Sequence, residues 1–316
     1  MAALFDVIDM PNKTYDYPIL GADPVCFKVA EGSSIAGLSG ALSEISTSKV
    51  TFTAVKLAGR SIASTEVLED AAVAMEPMIL RKVSASISRG VEDTTLNGDS
   101  AITAGSGAQD FDMLLAQLPG YATDRRGALD GLRKHSLISG MPNVDCATFS
   151  IGNLLSIRAA MKGGTGGNMF GLAASDLAFI VNLAGYIKLL TLSEVPGTTT
   201  SVVLTVEKYA AGATILNGEI AQVAGSPVIL SEFCRDDVAS TGVNTTGGPN
   251  TKSVLQLVHR GAFAMGRRRD ITIQRSSEHR FDTDEIEYTG TWRGHFRDIF
   301  PTAGAANRSV GIGRNF

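Results

Sequence analysis

From Thr65 to Val91 the residues Leu68, Ala71, Met75, Ile79, Val83, Ile87 and Val91 recur at three- and four-residue steps. That spacing lines one face of a helix. Ser64 or Thr65 can cap its start, and Glu66, Glu69 and Asp70 place negative charge in the first turns, where the helix dipole favours it. Arg81, Lys82 and Arg89 lie toward the other end, again in the favourable sense. At about 1.5 Å per residue the helix would be roughly 40 Å long. Pro77 falls inside it, which removes a hydrogen bond and predicts a bend. Asn97-Gly98-Asp99 closes the unit as a turn.

Before the helix, Lys49–Ala58 is rich in strand formers, but its alternation slips near Ala54, which predicts a bulge. Residues 1–48 show little periodicity and are punctuated by Pro11, Pro18, Pro24 and the small-residue stretch Gly32–Gly40. They read as an extended arm that needs another surface to lie on. After the helix, a charged turn is expected at Asp124-Arg-Arg126, and short helices at Phe111–Gln117, Ser150–Met161 and Tyr186–Leu192. Strands are expected at Phe179–Val181, Val202–Glu207, Pro227–Leu230, Val254–Val258, Ile271–Gln274 and Ile286–Trp292, with a surface loop at Val238–Lys252. Helices early and strands late make the class α+β.

Composition points to partners. Of the 316 residues only 19% are charged, below the usual ~25% of soluble proteins, and the mean hydropathy is +0.12. The longest apolar run, Leu177 to Leu192, is broken by Asn182, Gly185 and Lys188 and is shorter than the ~20 residues a spanning helix needs. An under-charged chain with no membrane segment is expected to bury surface against other subunits. Cys26, Cys146 and Cys234 are an odd number and lie far apart, so neither a disulfide framework nor a zinc site is expected. The N-terminus lacks the basic-then-apolar order of a signal peptide.

No enzyme is expected. The run Gly163–Gly167 has no Lys-Ser/Thr after it, and Met169 stands where a dinucleotide fingerprint needs glycine. His135, His259, His279 and His295 show no metal-ligand spacing, and no serine sits in a Gly-x-Ser-x-Gly elbow. No catalytic, cofactor or metal residues are assigned. From His259 to Phe316 the chain carries a charge of +3, while the remainder carries -7. Arg267-Arg268-Arg269 is the sharpest basic cluster, but acids interleave with it. Ion pairing between subunits is therefore favoured over nucleic-acid contact.

The stretches Val50–Ala58, Ser64-Thr-Glu-Val-Leu-Glu-Asp70 and Arg89-Gly-Val-Glu-Asp-Thr-Thr-Leu-Asn-Gly-Asp99 resemble the major capsid proteins of tailed bacteriophages, which have the Hong Kong 97-type fold. Gly225-Ser-Pro-Val-Ile-Leu-Ser231, Gly261–Arg269, Phe281–Asp284, Arg293–Asp298 and Phe300–Ala303 add weaker matches in the same order. The resemblance implies residues 1–24 as an N-terminal arm, 25–62 as the extended-loop (E-loop) region and 63–142 as a peripheral domain with the long spine helix. It further implies 143–235 as an axial domain, 236–290 as peripheral strands, and 291–316 as a C-terminal strand and tail returning to the axial domain.

Inter-subunit contacts are expected at Phe52, Lys56, Arg60, Arg267, Arg268, Arg269, Arg280 and Asp282, and a spine-helix bend at Pro77. The implied function is self-assembly into hexamers and pentamers of an icosahedral phage head around packaged double-stranded DNA, located in the virion and assembled in the host cytoplasm. Partners would be other copies of the chain, scaffolding, portal and decoration proteins, and DNA held without sequence specificity. An encapsulin-type shell enclosing cargo enzymes is the alternative. The sequence begins directly with the arm, so scaffolding would be a separate protein or the numbering would start after processing.

Overall fold

The computed structural model describes residues 4–20, 28, 31, 47–70, 74–100, 124–137, 141–162, 171, 173–192, 219–223, 225–244, 248–299 and 308–316. The expected helix Phe111–Gln117, the glycine run 163–167, the strand 202–207, the motif 300–303 and most of 25–46 lie outside these residues.

Two main sheets share one apolar core. The first has four strands, β1 (Asp6–Asp9), β4 (Val55–Ser64), β10 (Phe263–Ser276) and β11 (Glu285–Asp298), in the order β1-β10-β11-β4. β1 runs parallel to β10, and the other pairs are antiparallel. The second sheet has six strands. They are β5 (Asn143–Asp145), β6 (Leu177–Val181), β7 (Glu219–Val223), β8 (Ser226–Leu230), β9 (Leu255–His259) and β12 (Val310–Arg314), in the order β5-β12-β9-β6-β8-β7. β2 (Thr14–Leu20) and β3 (Thr47–Thr53) form a separate two-stranded ribbon. The helices are α1 (Thr65–Asp70), α2 (Met75–Asn97), α3 (Leu132–Leu137), α4 (Ile151–Ala160) and α5 (Leu183–Thr191).

Several expectations change. The spine is not one bent helix, because Ala74, with φ -57° and ψ 102°, separates α1 from α2. Pro77 is the third residue of α2, in its first turn, where an N–H has no intrahelical acceptor to lose. A helix running through Pro77 would set its ring against the carbonyl four residues earlier, so the chain restarts the helix just before it. α2 then continues beyond Val91 to Asn97. Near Ala54 the strand does not bulge but changes sheet: β3 pairs with β2, while β4 pairs with β11.

Residues 4–10 of the expected arm are not without a core. Phe5 and Met10 are buried, and Phe5 packs edge-on against Phe263 and Phe296 with ring centroids 6.1 and 5.1 Å apart. The surface that receives this segment is the chain's own four-stranded sheet. β9, expected among the peripheral strands, pairs with β6 and β12 in the six-stranded sheet. β11 runs unbroken across the expected boundary at 290/291. The loop from Val238 to Lys252 is not wholly at the surface, since Val238 and Asn244 are buried.

Each sheet seats its helix on glycine. Gly290 of β11 lies opposite Gly59 of β4, and a Cβ on Gly290 would come within 2.5 Å of Ile87 Cδ1 and 2.8 Å of Val83 Cγ1. In β12, a Cβ on Gly311 or Gly313 would lie 2.7 or 2.9 Å from the Ile157 side chain of α4. Missing side chains in the strands let the branched aliphatics of the helices sit close to the backbone. Ser150 caps α4 by accepting from Asn153 N, and Asn182 caps α5 by accepting from Gly185 N.

Candidate assembly surface

The surface is held in shape by a joint at the C-terminal end of α2. Glu92 accepts a hydrogen bond from Ser231 Oγ at 2.7 Å, so two motifs 139 residues apart in sequence meet there. Asp93 accepts from Asn97 Nδ2 at 3.0 Å and Arg125 Nε at 2.7 Å, and Asn97 also donates to Phe233 O at 2.7 Å. Leu96 is fully buried, and Gly98 lies so close to the Leu129 carbonyl that a Cβ would sit 2.3 Å from it. The acidic, apolar and glycine positions of Glu92-Asp-Thr-Thr-Leu-Asn-Gly98 thus each fill a structural role.

Residues 124–137, which carried no recognised motif, supply the other half of the joint. Asp124 caps a short 3-10 turn, Arg125–Gly127, by accepting from Arg126 N. Lys134 donates to Asp99 at 2.5 Å and Asp130 at 2.8 Å, and Ser100 N and Oγ donate to Asp130 at 2.8 and 2.7 Å. Burial would raise the Asp130 carboxyl, but the hydrogen bonds from Lys134 and Ser100 outweigh it and hold the group below its ordinary range. Burial would likewise lower Lys134, yet the hydrogen bonds it donates to Asp130 and Asp99 raise it. The charged turn expected at Asp124–Arg126 is present, and the i,i+4 spacing of Asp130 and Lys134 is a further signal for this cluster that the sequence reading did not use.

Outside the joint, the four-stranded sheet presents charge. Glu287 sits between Arg60, whose Nε is 2.7 Å away, and His279, whose Nδ1 is 3.0 Å away. Arg280 pairs with Glu285 at 3.0 Å, Arg267 with Asp9 at 3.1 Å, and Arg275 lies 3.5 Å from Glu76. On the ribbon, Asp16 accepts from Lys49 at 2.7 Å and Thr51 at 2.6 Å, hydrogen bonds that lower its carboxyl.

The expected contact residues therefore divide. Phe52 is fully buried, edge-on to His295 with ring centroids 5.9 Å apart, and so presents nothing to a neighbour; an inward-facing strand position placed it in the core. Arg60, Arg267 and Arg280 find acids in their own chain, and Arg268 donates to Met10 O at 3.1 Å. Lys56, Arg269 and Asp282 are exposed and have no partner among the described residues. The sequence reading missed the exposed apolar positions Leu183 and Ile187 on α5, which stand one helical turn apart.

Among the described residues no group of three or more His, Cys, Asp and Glu side chains could hold a metal ion, and no helix is long and apolar enough to cross a membrane. Cys234 is wholly enclosed, and burial pushes its thiol up to about 12, the setting of an inert cysteine.

No family model and no curated protein matches the sequence. Solved structures do match, over almost the whole chain. A structure of Microbacterium phage Oxtober96 is 12% identical with a TM-score of 0.64, covering 98% of this chain and 88% of that one. The capsid of the native GTA particle is 12% identical with a TM-score of 0.57, covering 99% and 88%. The capsid structure of the cyanophage P-SCSP1u is 13% identical with a TM-score of 0.55, covering 98% and 86%. At these identities the likeness speaks for the fold, and the chain has the fold of a tailed-phage major capsid protein.

Proposed function

We propose that the protein is a major capsid protein that assembles into the hexamers and pentamers of an icosahedral phage head around packaged double-stranded DNA. The observation that carries this reading is the coverage: capsid structures match 98–99% of the chain, not one domain of it. The low charge content fits a subunit that meets several neighbours. In this reading the four-stranded sheet with α2 is the peripheral domain and the six-stranded sheet with α4 and α5 is the axial domain. The step at Ala74, set by Pro77, is where the spine would flex when the shell expands.

Scaffolding, portal and decoration proteins would be separate partners, and assembly would take place in the host cytoplasm. Electron microscopy of the purified protein should show closed shells or capsomers, and nuclease-protected DNA should be recovered from particles formed in the host. The absence of any shell or capsomer across salt and concentration would overturn the reading.

A further inference from the structure

The face of the four-stranded sheet turned away from α2 carries a row of cations. Lys56 of β4 lies opposite Arg293 of β11, and Arg293 lies opposite Arg269 of β10. Residues directly opposite share a face and stand about 5 Å apart. Gly59 and Gly290, three residues along from Lys56 and Arg293, face Ile87 of α2. Alternation therefore puts the row on the other face. β4 is exposed there at Lys56, Ala58, Arg60 and Ile62. The floor beside the row is shallow, since the next line across the same strands is Ala58, Thr291 and Thr272.

The row is unfavourable when empty, because like charges set directly opposite repel. The acids of this region are already engaged. Asp9 and Asp270 lie 3.1 and 3.7 Å from Arg267, and Glu287 is shared by Arg60 and His279. Lys56 and Arg269 are exposed and have no partner among the described residues. The Nε of Arg293 is buried and finds no acceptor there either, a group that costs stability when left unmatched. The ladder is also irregular on both sides of Arg269, between Arg267 and Arg269 and between Arg269 and Thr272. Such irregularities re-aim side chains and collect beside binding sites. The interleaved acids that argued against a phosphate contact in the sequence are thus taken up by other cations.

We propose that Lys56, Arg293 and Arg269 form a binding site for a phosphate group. The two guanidinium groups donate N–H bonds to its oxygens, and the Lys56 ammonium adds a point charge. A lone carboxylate brings one negative charge to the three cations, whereas a free phosphate brings up to about two. Successive phosphates of a nucleic-acid backbone offer the same oxygens and a comparable charge. The site belongs to the single chain and does not depend on the shell reading.

The test uses unassembled full-length protein with two probes, inorganic phosphate and a short DNA duplex of random sequence, each against chloride at equal ionic strength. Lys56→Gln with Arg269→Gln should weaken binding at least about tenfold, and Arg275→Gln, farther along β10 and outside the row, should leave it unchanged. Duplex binding whose salt slope falls by about one for each cation removed assigns the phosphate to a nucleic-acid backbone. Binding of inorganic phosphate alone assigns it to the free ion. Without either probe, the thermal midpoints of Lys56→Gln and Arg269→Gln should equal or exceed that of the wild type, because repulsion is relieved. A lower midpoint would show that the chain itself neutralises these cations and would overturn the proposal. So would a failure of both probes to bind, or an equal loss in Arg275→Gln. Tighter binding of polyglutamate than of either probe would overturn the assignment to phosphate.

Discussion

β11 alternates buried and half-buried positions through most of its fourteen residues, whereas β6 is buried at all five and β9 at four of five. The first pattern belongs to a sheet with one face on the core and one toward water. The second belongs to a sheet covered on both faces. Charge follows the same division: Arg60, Arg267 and Arg275 of the four-stranded sheet each meet an acid, while the inner strands β6, β9 and β12 of the other sheet carry no acidic side chain and only His259 and Arg314 as basic ones, both at strand ends. The four-stranded sheet therefore turns one face outward, while the middle strands of the six-stranded sheet are packed interior.

The largest effect should come from the packed sheet. Ile157→Ala removes the side chain that fills the space over Gly311 and Gly313, and a buried aliphatic lost from such a site costs about 2–5 kcal/mol. Urea unfolding would measure it. A loss under 1 kcal/mol would mean that α4 does not hold this sheet and would blur the contrast.

Acid should act on three histidines that the fold shields from water. His135 on α3 and His295 on β11 are both pushed down to about 4 by burial, and His259 at the end of β9 is lowered for the same reason. Because the folded values lie below the ordinary 6.5, the unfolded chain binds protons first. The stability that these neutral rings allow is fully present above pH 6.5 and is lost as pH falls from 6.5 toward 4. Each imidazole contributes a slope of up to about 1.4 kcal/mol per pH unit in that window. Urea midpoints at pH 7.5 and 5 should differ accordingly, and His295→Gln should flatten the difference. A pH-independent midpoint would show that these rings are open to water.

The smallest effect should come from the charged sheet. In the Arg267–Asp9 pair the side chains are 43% and 79% exposed, so Arg267→Ala should cost no more than about 1 kcal/mol in the unassembled protein. A loss near that of Ile157→Ala would mean that β1 depends on this pair and that the two sheets do not differ as described.

Much of this was legible in the sequence where one helix or strand answers to its own pattern. α4 runs from its cap at Ser150 to Met161 as the spacing predicts, and the alternation of Ile286, Tyr288 and Trp292 marks the inward face of β11. The spine helix was visible too, but its break was misplaced, because a proline near a first turn and one in a helix interior look alike until the dihedral angles of Ala74 are known. The joint was barely legible. Its bonds link Glu92 to Ser231 and Arg125 to Asp93, and no local period encodes such distant pairs.

By itself, the sequence determined the α+β class, the amphipathic spine, the shortage of charge and the order of motifs that pointed to a shell subunit. Those properties depend on residues a few positions apart or on totals along the chain. Only the tertiary structure decided that Phe52 faces inward, that Arg60 and Arg267 find their acids within the chain, and that β9 belongs to the six-stranded sheet. It also set Lys56, Arg293 and Arg269 in one row. The physical reason is that pairing between strands and between charges is set by where the backbone brings them, at sequence separations over which side-chain periodicity carries no information.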